Sequence, residues 1–257
     1  GIDPAVISVI NDYVNANPNN RPRCSPRWAL WRNGHLIHAE MEHPDCFTEN
    51  IDVASLRKTW HAMMVAAAVH QGKIPSIDQK VSEWIDLVGL HADATWRHVM
   101  MQAGGFDYPY DAHPAYKPGE MWTYSDLNLV HLCNALARVY GKADFYDDYG
   151  ACAKAAYFDA IGMEGWSTKI VFDKSSQMDD GVRFVISLDQ MGRLGLFALA
   201  RGIWEGVQLV PDGFVELLET KQTQGMRVNY EGPNDGMSHL RFFADDSPEC
   251  PYGFLTW

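Results

Sequence analysis

No two cysteines in this sequence stand close enough to form a C-x-x-C. The five present, Cys24, Cys46, Cys133, Cys152 and Cys250, are odd in number and widely spread. That spacing argues against a disulfide framework and against a zinc ribbon. A single Cys24–Cys46 bridge stays open for an exported protein; otherwise the cysteines read as small buried residues. Runs of Lys and Arg are absent too. The formal charge is −12 and the pI near 5.2, which speaks against a nucleic-acid partner or an anionic membrane surface. No apolar stretch reaches membrane-spanning length and no signal peptide is visible, so membrane insertion is not expected.

Several motifs of chemistry are also missing. There is no HExxH, no Cys/His ligand spacing, no G-x-S-x-G elbow, no P-loop and no dinucleotide fingerprint. His35, His38 and His43 are neighbours in sequence, but a hairpin would scatter them across faces, so neither metal nor cofactor is expected. What remains is an ordinary globular composition, 47% apolar, 21% charged and 12% aromatic, long enough for one large core.

The chain reads as an alternation of helices and turns with little linker. "IDPAVISVINDYVNAN" predicts an N-terminal helix, and Asn33-Gly34 between two short apolar runs predicts a hairpin over Trp28–Met41. "NIDVASLRKTWHAMMVAAAVHQGKI" predicts a long buried helix capped by Asp52 and closed by Gly72. "DATWRHVMMQAGG" and "SDLNLVHLCNALARVYG" read as amphipathic helices ended by glycines, with Ser125 or Asp126 capping the second. "SLDQMGRLGLFALARG" and "DGFVELLETKQ" give two more, and the last segment, ending "PYGFLTW", reads as a loop running into a strand.

The polar opening of the long helix raises the functional question. Ser55 and Lys58 are three residues apart, which puts them on one helix face about 5–6 Å apart, within reach of an Oγ–Nζ hydrogen bond. A helix N-terminus carries about half a positive charge. That field and burial both disfavour an ammonium, so a lysine there suits a general base better than a stabilising cation. The pair is either a surface N-terminus ahead of a core helix or a nucleophile with its base. With twelve serines and nine lysines, about 0.4 S-x-x-K tetrads arise by chance, so the tetrad alone is weak. Arg57, about 200° round the helix, reads as a salt-bridging or solvent-facing residue. Trp122, Tyr108 and Tyr110 are candidates for the wall of a cleft beside Tyr124.

Taken in order, five segments resemble the serine β-lactamase and penicillin-binding-protein superfamily. The closest match is its class C-like branch, with DD-peptidases, family VIII carboxylesterases and 6-aminohexanoate-oligomer hydrolases. "SLRKTWHAMMVAAAVHQGKI" is similar to the S-x-x-K helix, "IDQKVSEWI" to the segment after it and "WRHVMMQAGGFD" to the R-H-L-L-x-x-x-S-G-L stretch. "PGEMWTYSDLNLVHL" is similar to the P-G-x-x-x-x-Y-S-[ND] element, and "ISLDQMGRLGLFALARGIWEGVQLVP" to the later helix and turn.

The resemblance implies an α+β, β-lactamase/transpeptidase-like fold in which an antiparallel sheet, containing the hairpin, packs against a mainly helical region. One catalytic domain would span 1–257, with 1–52 and about 166–257 holding the sheet and 53–165 the helices. Ser55 would be the acylated nucleophile, Lys58 its base and Tyr124 the proton shuttle, with Asp126, Trp122 and Tyr108 at the substrate. Asp126 stands where the family often has Asn. A carboxylate there would hold Lys58 as the ammonium and turn Tyr124 into the base. No K-T-G, K-S-G or suitably placed H-x-G is present, so the resemblance implies that the chain as given stops before the final strands.

The implied activity is metal-independent serine hydrolysis of a small ester or amide. A β-lactamase or DD-peptidase, or a silent binding member of the same fold, are the alternatives. A periplasmic or secreted location follows from the resemblance, a cytoplasmic one staying open; oligomeric state is not indicated.

Overall fold

The computed structural model describes residues 3–16, 28–41, 43–106, 116–173, 178–228 and 252–256. Tyr108, Tyr110, Cys24 and Cys250 lie outside them. Helix α1 (Pro4–Ala16) precedes the hairpin β1 (Trp28–Arg32) and β2 (His35–Glu40). Asn33 and Gly34 take φ of 52° and 78° at its turn, as a two-residue I′ connection demands. Strand β3 (Ile51–Asp52) leads through a 3-10 turn, Ala54–Leu56, into α2 (Arg57–His70). Then come α3 (Trp96–Met100), β4 (Met121–Trp122), α4 (Asp126–Val139) and α5 (Tyr149–Ala153), the last continued by a π-helical turn. Strands β5 (Ser167–Asp173) and β6 (Met178–Ile186) are followed by α6 (Leu188–Leu199), the small hairpin β7 (Ile203–Trp204) and β8 (Val207–Gln208), α7 (Phe214–Glu219) and β9 (Arg227–Val228).

The main sheet is antiparallel, in the order β3-β6-β5. Along β6, Asp180, Val182, Phe184 and Ile186 are buried while Arg183 and Val185 between them are half-buried, the period-two signature of a strand with one face on the core. Helix α2 lies under that face. From Trp60 to Ala68 every residue is buried, because sheet and helices enclose it on all sides. His61 stacks on Phe184 at 4.9 Å and Trp60 lies 6.2 Å from the same ring, while α4, α7 and the π-turn cover its other sides. The helix ends as its sequence predicts. Gly72 takes φ +69°, its N–H bonds to Val69 O and that of Lys73 to Ala68 O, a Schellman closure.

Three expectations differ from the structure. The Trp28–Glu40 hairpin is a separate two-stranded unit among the described residues rather than part of the main sheet. Its inner side is taken up by α6, where the Trp31 indole lies on Gly192 so closely that a Cβ there would sit 2.5 Å from the ring. Helix α3 is closed by Gln102 at φ +59° rather than by glycine. The cost of that conformation is offset by tertiary bonds, since Gln102 O accepts from Thr123 N–H and its side-chain Oε1 from Ser125 N–H. Residues 252–256 form a buried turn, not a strand. Leu255 sits at φ +56° and Gly253 N–H bonds to Thr256 O, which curls the backbone.

The remaining cysteines divide by environment. Cys133 and Cys152 are free and buried. Cys46, with no exposed surface, is disulfide-bonded, so it is not the simple buried thiol its spacing suggests.

Candidate active site

The site is assembled where β3 turns into α2. Ile51 and Asp52 pair with Ile186 and Val185 of β6, and Val53 N–H bonds to Phe184 O. The chain then reverses through Ala54, whose φ is +45°. An L-residue pays about 1–2 kcal/mol for that left-handed conformation. Asp52 does not cap α2. Its Oδ1 accepts from Ala54 N–H at 2.9 Å, because the helix is entered through a 3-10 turn that shifts the α-helical start to Arg57. Ser55 therefore sits on the 3-10 turn and is exposed, whereas Lys58, one turn deeper, is 2% exposed.

Two donors converge on one oxygen. Lys58 Nζ donates to Ser55 Oγ at 3.1 Å and Tyr124 Oη donates to it at 2.9 Å. Tyr124 is fixed by its neighbours, since the N–H groups of Thr123 and Ser125 both bond to Gln102. Ser125 then caps α4 through Leu127 N–H and puts Asp126 in the first turn, where the helix dipole favours a carboxylate. From there Asp126 Oδ1 reaches Lys58 Nζ at 3.3 Å. This is ion-pair contact without hydrogen-bond alignment, as Oδ1 has no such bond. Lys58 Nζ also lies 4.7 Å from the Tyr124 ring centroid, a cation–π distance.

Arg57 is neither exposed nor idle. It is 1% exposed; Nη1 donates to Ala54 O at 2.9 Å and Nη2 to Asp180 O at 2.7 Å. Its Nη2 also approaches Asp180 Oδ2 at 3.5 Å and Asp126 Oδ1 at 3.9 Å. Arg183 joins Asp180 to Asp52, and Lys169 adds a further cation 3.5 Å from Asp52. Burial alone would raise the Asp52 carboxyl, but the Ala54 N–H, Arg183 and Lys169 together hold it below the ordinary carboxylate range.

Beneath this layer His61 is fully buried. Its Nε2 bonds to Val182 O at 2.9 Å and its Nδ1 to Tyr149 Oη at 3.0 Å. A carbonyl can only accept, so Nε2 carries the proton and Nδ1 receives the tyrosine's. Burial, with the positive charges of Arg57 and Lys58, outweighs the Val182 bond and takes its pKa down to about 3.

Of the residues singled out in the sequence, Ser55, Lys58, Tyr124 and Asp126 are brought together. Trp122 is placed differently from a cleft wall. It is 3% exposed and packs edge-on against Tyr252 at 5.5 Å, with Tyr124 6.3 Å away, so it supports the tyrosine from behind. Tyr108 lies outside the described residues. His98 completes a capping box with Thr95. Among the described residues no three His, Cys, Asp or Glu side chains gather closely enough to hold a metal ion.

The sequence reading missed Asp180 and Arg183; of its two options for Arg57, salt-bridging or solvent-facing, the first is the one found. Asp180 was detectable in principle, since it is in phase with the buried Val182, Phe184 and Ile186. Arg57 carried no signal except being a charge at the start of an otherwise apolar helix. An exposed hydroxyl between an amine and a phenol can act as a nucleophile once one of the two has given up its own proton and accepts the hydroxyl's.

A family model named Beta-lactamase matches residues 29–174, more than half of the chain. An uncharacterized protein of Alkalihalophilus pseudofirmus is 24% identical over 212 residues, 76% of this chain. The chain spans 61% of the length of that curated relative. Among solved structures, a Bacteroides dorei protein assigned as a beta-lactamase superposes with a TM-score of 0.73 at 14% identity, covering 98% of this chain and 78% of that one. A Bacillus anthracis protein assigned as a 6-aminohexanoate-dimer hydrolase gives 0.61 at 15% identity, over 80% of this chain and 61% of that one. At such identities the structural likeness shows a common fold. The family match is broader in meaning, for it reaches from the first hairpin past β5, and on it the chain belongs to the beta-lactamase family.

Proposed function

We propose that the protein is a serine hydrolase cleaving a small ester or amide through an acyl-enzyme on Ser55. The observation that carries this reading is the convergence of Lys58 Nζ and Tyr124 Oη on Ser55 Oγ, at 3.1 and 2.9 Å. Lys58 faces Asp126 at 3.3 Å. That contact gives Lys58 a carboxylate counter-charge, which favours an electrostatic role for it and leaves Tyr124 to move the proton. Tyr124 donates to Oγ in the resting site, so it acts as the base only after passing that proton to solvent; the Ser55 proton then crosses the 2.9 Å line to Oη as Oγ attacks the substrate carbonyl carbon. The carbonyl π electrons move to oxygen, which the Ser55 N–H would bind, as the family resemblance implies. Collapse expels the alcohol or amine, which takes its proton from Tyr124. Water then repeats the cycle on the acyl ester and releases the acid and free Ser55.

Asp126 favours the esterase or amidase reading over β-lactam hydrolysis. Where the family often has Asn, this carboxylate has no N–H to offer a substrate carbonyl. The test is intact mass and turnover with p-nitrophenyl acetate and p-nitrophenyl butyrate beside benzylpenicillin. Ester turnover with a transient acyl adduct on Ser55 supports the proposal. Rapid, lasting acylation by penicillin with no ester turnover replaces it by a penicillin-binding or β-lactamase reading. A folded protein acylated by neither is a silent binding member.

A further inference from the structure

We infer that Arg57 and Asp52 form a clamp that holds Ala54 in its left-handed conformation and so aims Ser55. The inference rests on Ser55 being the nucleophile and adds two positioning residues to it.

Ala54 is the residue immediately before Ser55, and its φ of +45° is one that an L-residue leaves when nothing holds it. Both of its backbone polar groups are held by side chains. Asp52 Oδ1 accepts its N–H at 2.9 Å, and Arg57 Nη1 donates at 2.9 Å to its carbonyl, which also accepts the Arg57 backbone N–H of the 3-10 turn. Neither side chain can wander. Asp52 is gripped by Arg183 Nη1 at 3.1 Å and Lys169 at 3.5 Å. Arg57 is buried, with Nη2 on Asp180 O at 2.7 Å, and Arg183 ties Asp180 back to Asp52. The loop of charges thus closes on itself around one strained peptide. Ser55 itself is exposed, so the clamp supplies the fixity that packing does not. Strain adjoining a nucleophile, overdetermined by its surroundings, is the form that preorganisation takes in a backbone.

A clamp acting through Ala54 makes a prediction that a charge effect does not: it becomes dispensable when the residue is glycine, which adopts positive φ without penalty. The experiment measures the rate of Ser55 labelling by a fluorophosphonate probe, with urea denaturation on the same proteins. Asp52→Ala, Asp52→Asn and Arg57→Gln are each made with and without Ala54→Gly. Asp52→Ala and Arg57→Gln are expected to slow labelling about tenfold with Ala54 in place, the factor by which an unheld alanine abandons this conformation. Combined with Ala54→Gly, each loss shrinks to about threefold or less relative to Ala54→Gly alone. Asp52→Asn keeps the Oδ1 acceptor and keeps the rate. In urea, Ala54→Gly lowers the midpoint more in the clamp-free proteins than in the wild type, because only the wild type has strain to relieve.

Equal slowing with and without Ala54→Gly, together with additive urea midpoints, overturns the inference. Should Arg57→Gln fail to fold, Asp52→Ala decides, since Asp52 is half-buried and its loss leaves no fully enclosed charge. A folded wild type that takes no label overturns the hydrolase reading instead, and the urea cycle still decides the clamp.

Discussion

Tyr124 Oη lies 2.9 Å from Ser55 Oγ and donates its proton to it. Removing that hydroxyl alone leaves the ring on Lys58 and the packing on Trp122 in place. Tyr124→Phe is therefore expected to lower fluorophosphonate labelling and ester turnover by about 10²–10⁴-fold, the usual worth of a positioned acid–base group, with the urea midpoint unmoved. Activity within a few fold of wild type would assign the proton transfer to Lys58.

Asp126 is the carboxylate nearest Lys58 and is shared with Arg57. Asp126→Asn leaves two enclosed cations with one fewer counter-charge. A loss of about 1–3 kcal/mol of stability is expected in urea denaturation, less than for a fully buried pair because Asp126 keeps some solvent contact. An unchanged midpoint would show that Asp180 alone balances the pair.

A buried and a half-buried histidine make stability depend on pH. His61 titrates at about 3 in the folded protein against an ordinary 6.5, for the reasons given above; His131, 4.3 Å from the Phe106 ring, is brought to about 4 by burial and by the charge of His91. Both folded values lie below the unfolded one, so the unfolded chain binds protons first as pH falls. The contribution is whole above pH 6.5 and is lost progressively between 6.5 and about 3. For His61 it reaches about 5 kcal/mol. Urea midpoints measured from pH 7.5 to 4.5 should fall steadily below 6.5, and His61→Gln should flatten that slope while lowering the plateau. A flat profile over this range would contradict both rings being held in neutral form.

Much of this was readable before any coordinates. Helix α2 is buried from Trp60 to Ala68, as its apolar run suggests, and of the Ser-x-x-Lys opening Ser55 is exposed while Lys58 is buried; the run was legible in the pattern, the tetrad only in its spacing together with the resemblance. The helix closures at Gly72 and Gly141 and the caps at Ser125 and Ser187 follow local rules that tertiary contacts did not override. What failed was everything decided by distant partners. Gln102 adopts a glycine-like φ because residues 123 and 125 bond to it. Asp52 looks like a cap but serves Ala54. Arg57 could by position either pair with a carboxylate or face solvent, and which of the two is decided by Asp180, over a hundred residues on, whose carbonyl accepts from it. No local propensity encodes such pairings.

Packing of the first hairpin on α6 gives a stability prediction independent of the site. An added Cβ at Gly192 would meet three Trp31 ring atoms at 2.5 to 2.9 Å. Gly192→Ala, favourable by helix propensity alone, is expected to cost about 1–3 kcal/mol through overpacking. Pairing it with Trp31→Leu should recover most of the loss in a urea double-mutant cycle. A stabilised single variant would mean the indole moves aside freely.

The account turns on whether Ser55 is an activated nucleophile. The most direct measurement is the intact mass of the folded chain after exposure to a fluorophosphonate probe, beside Ser55→Ala treated identically. One adduct on the wild type, mapped to Ser55 by peptide mass and absent from the variant, is the predicted result. No adduct on a protein shown to be folded, or an adduct that persists in Ser55→Ala, would contradict it.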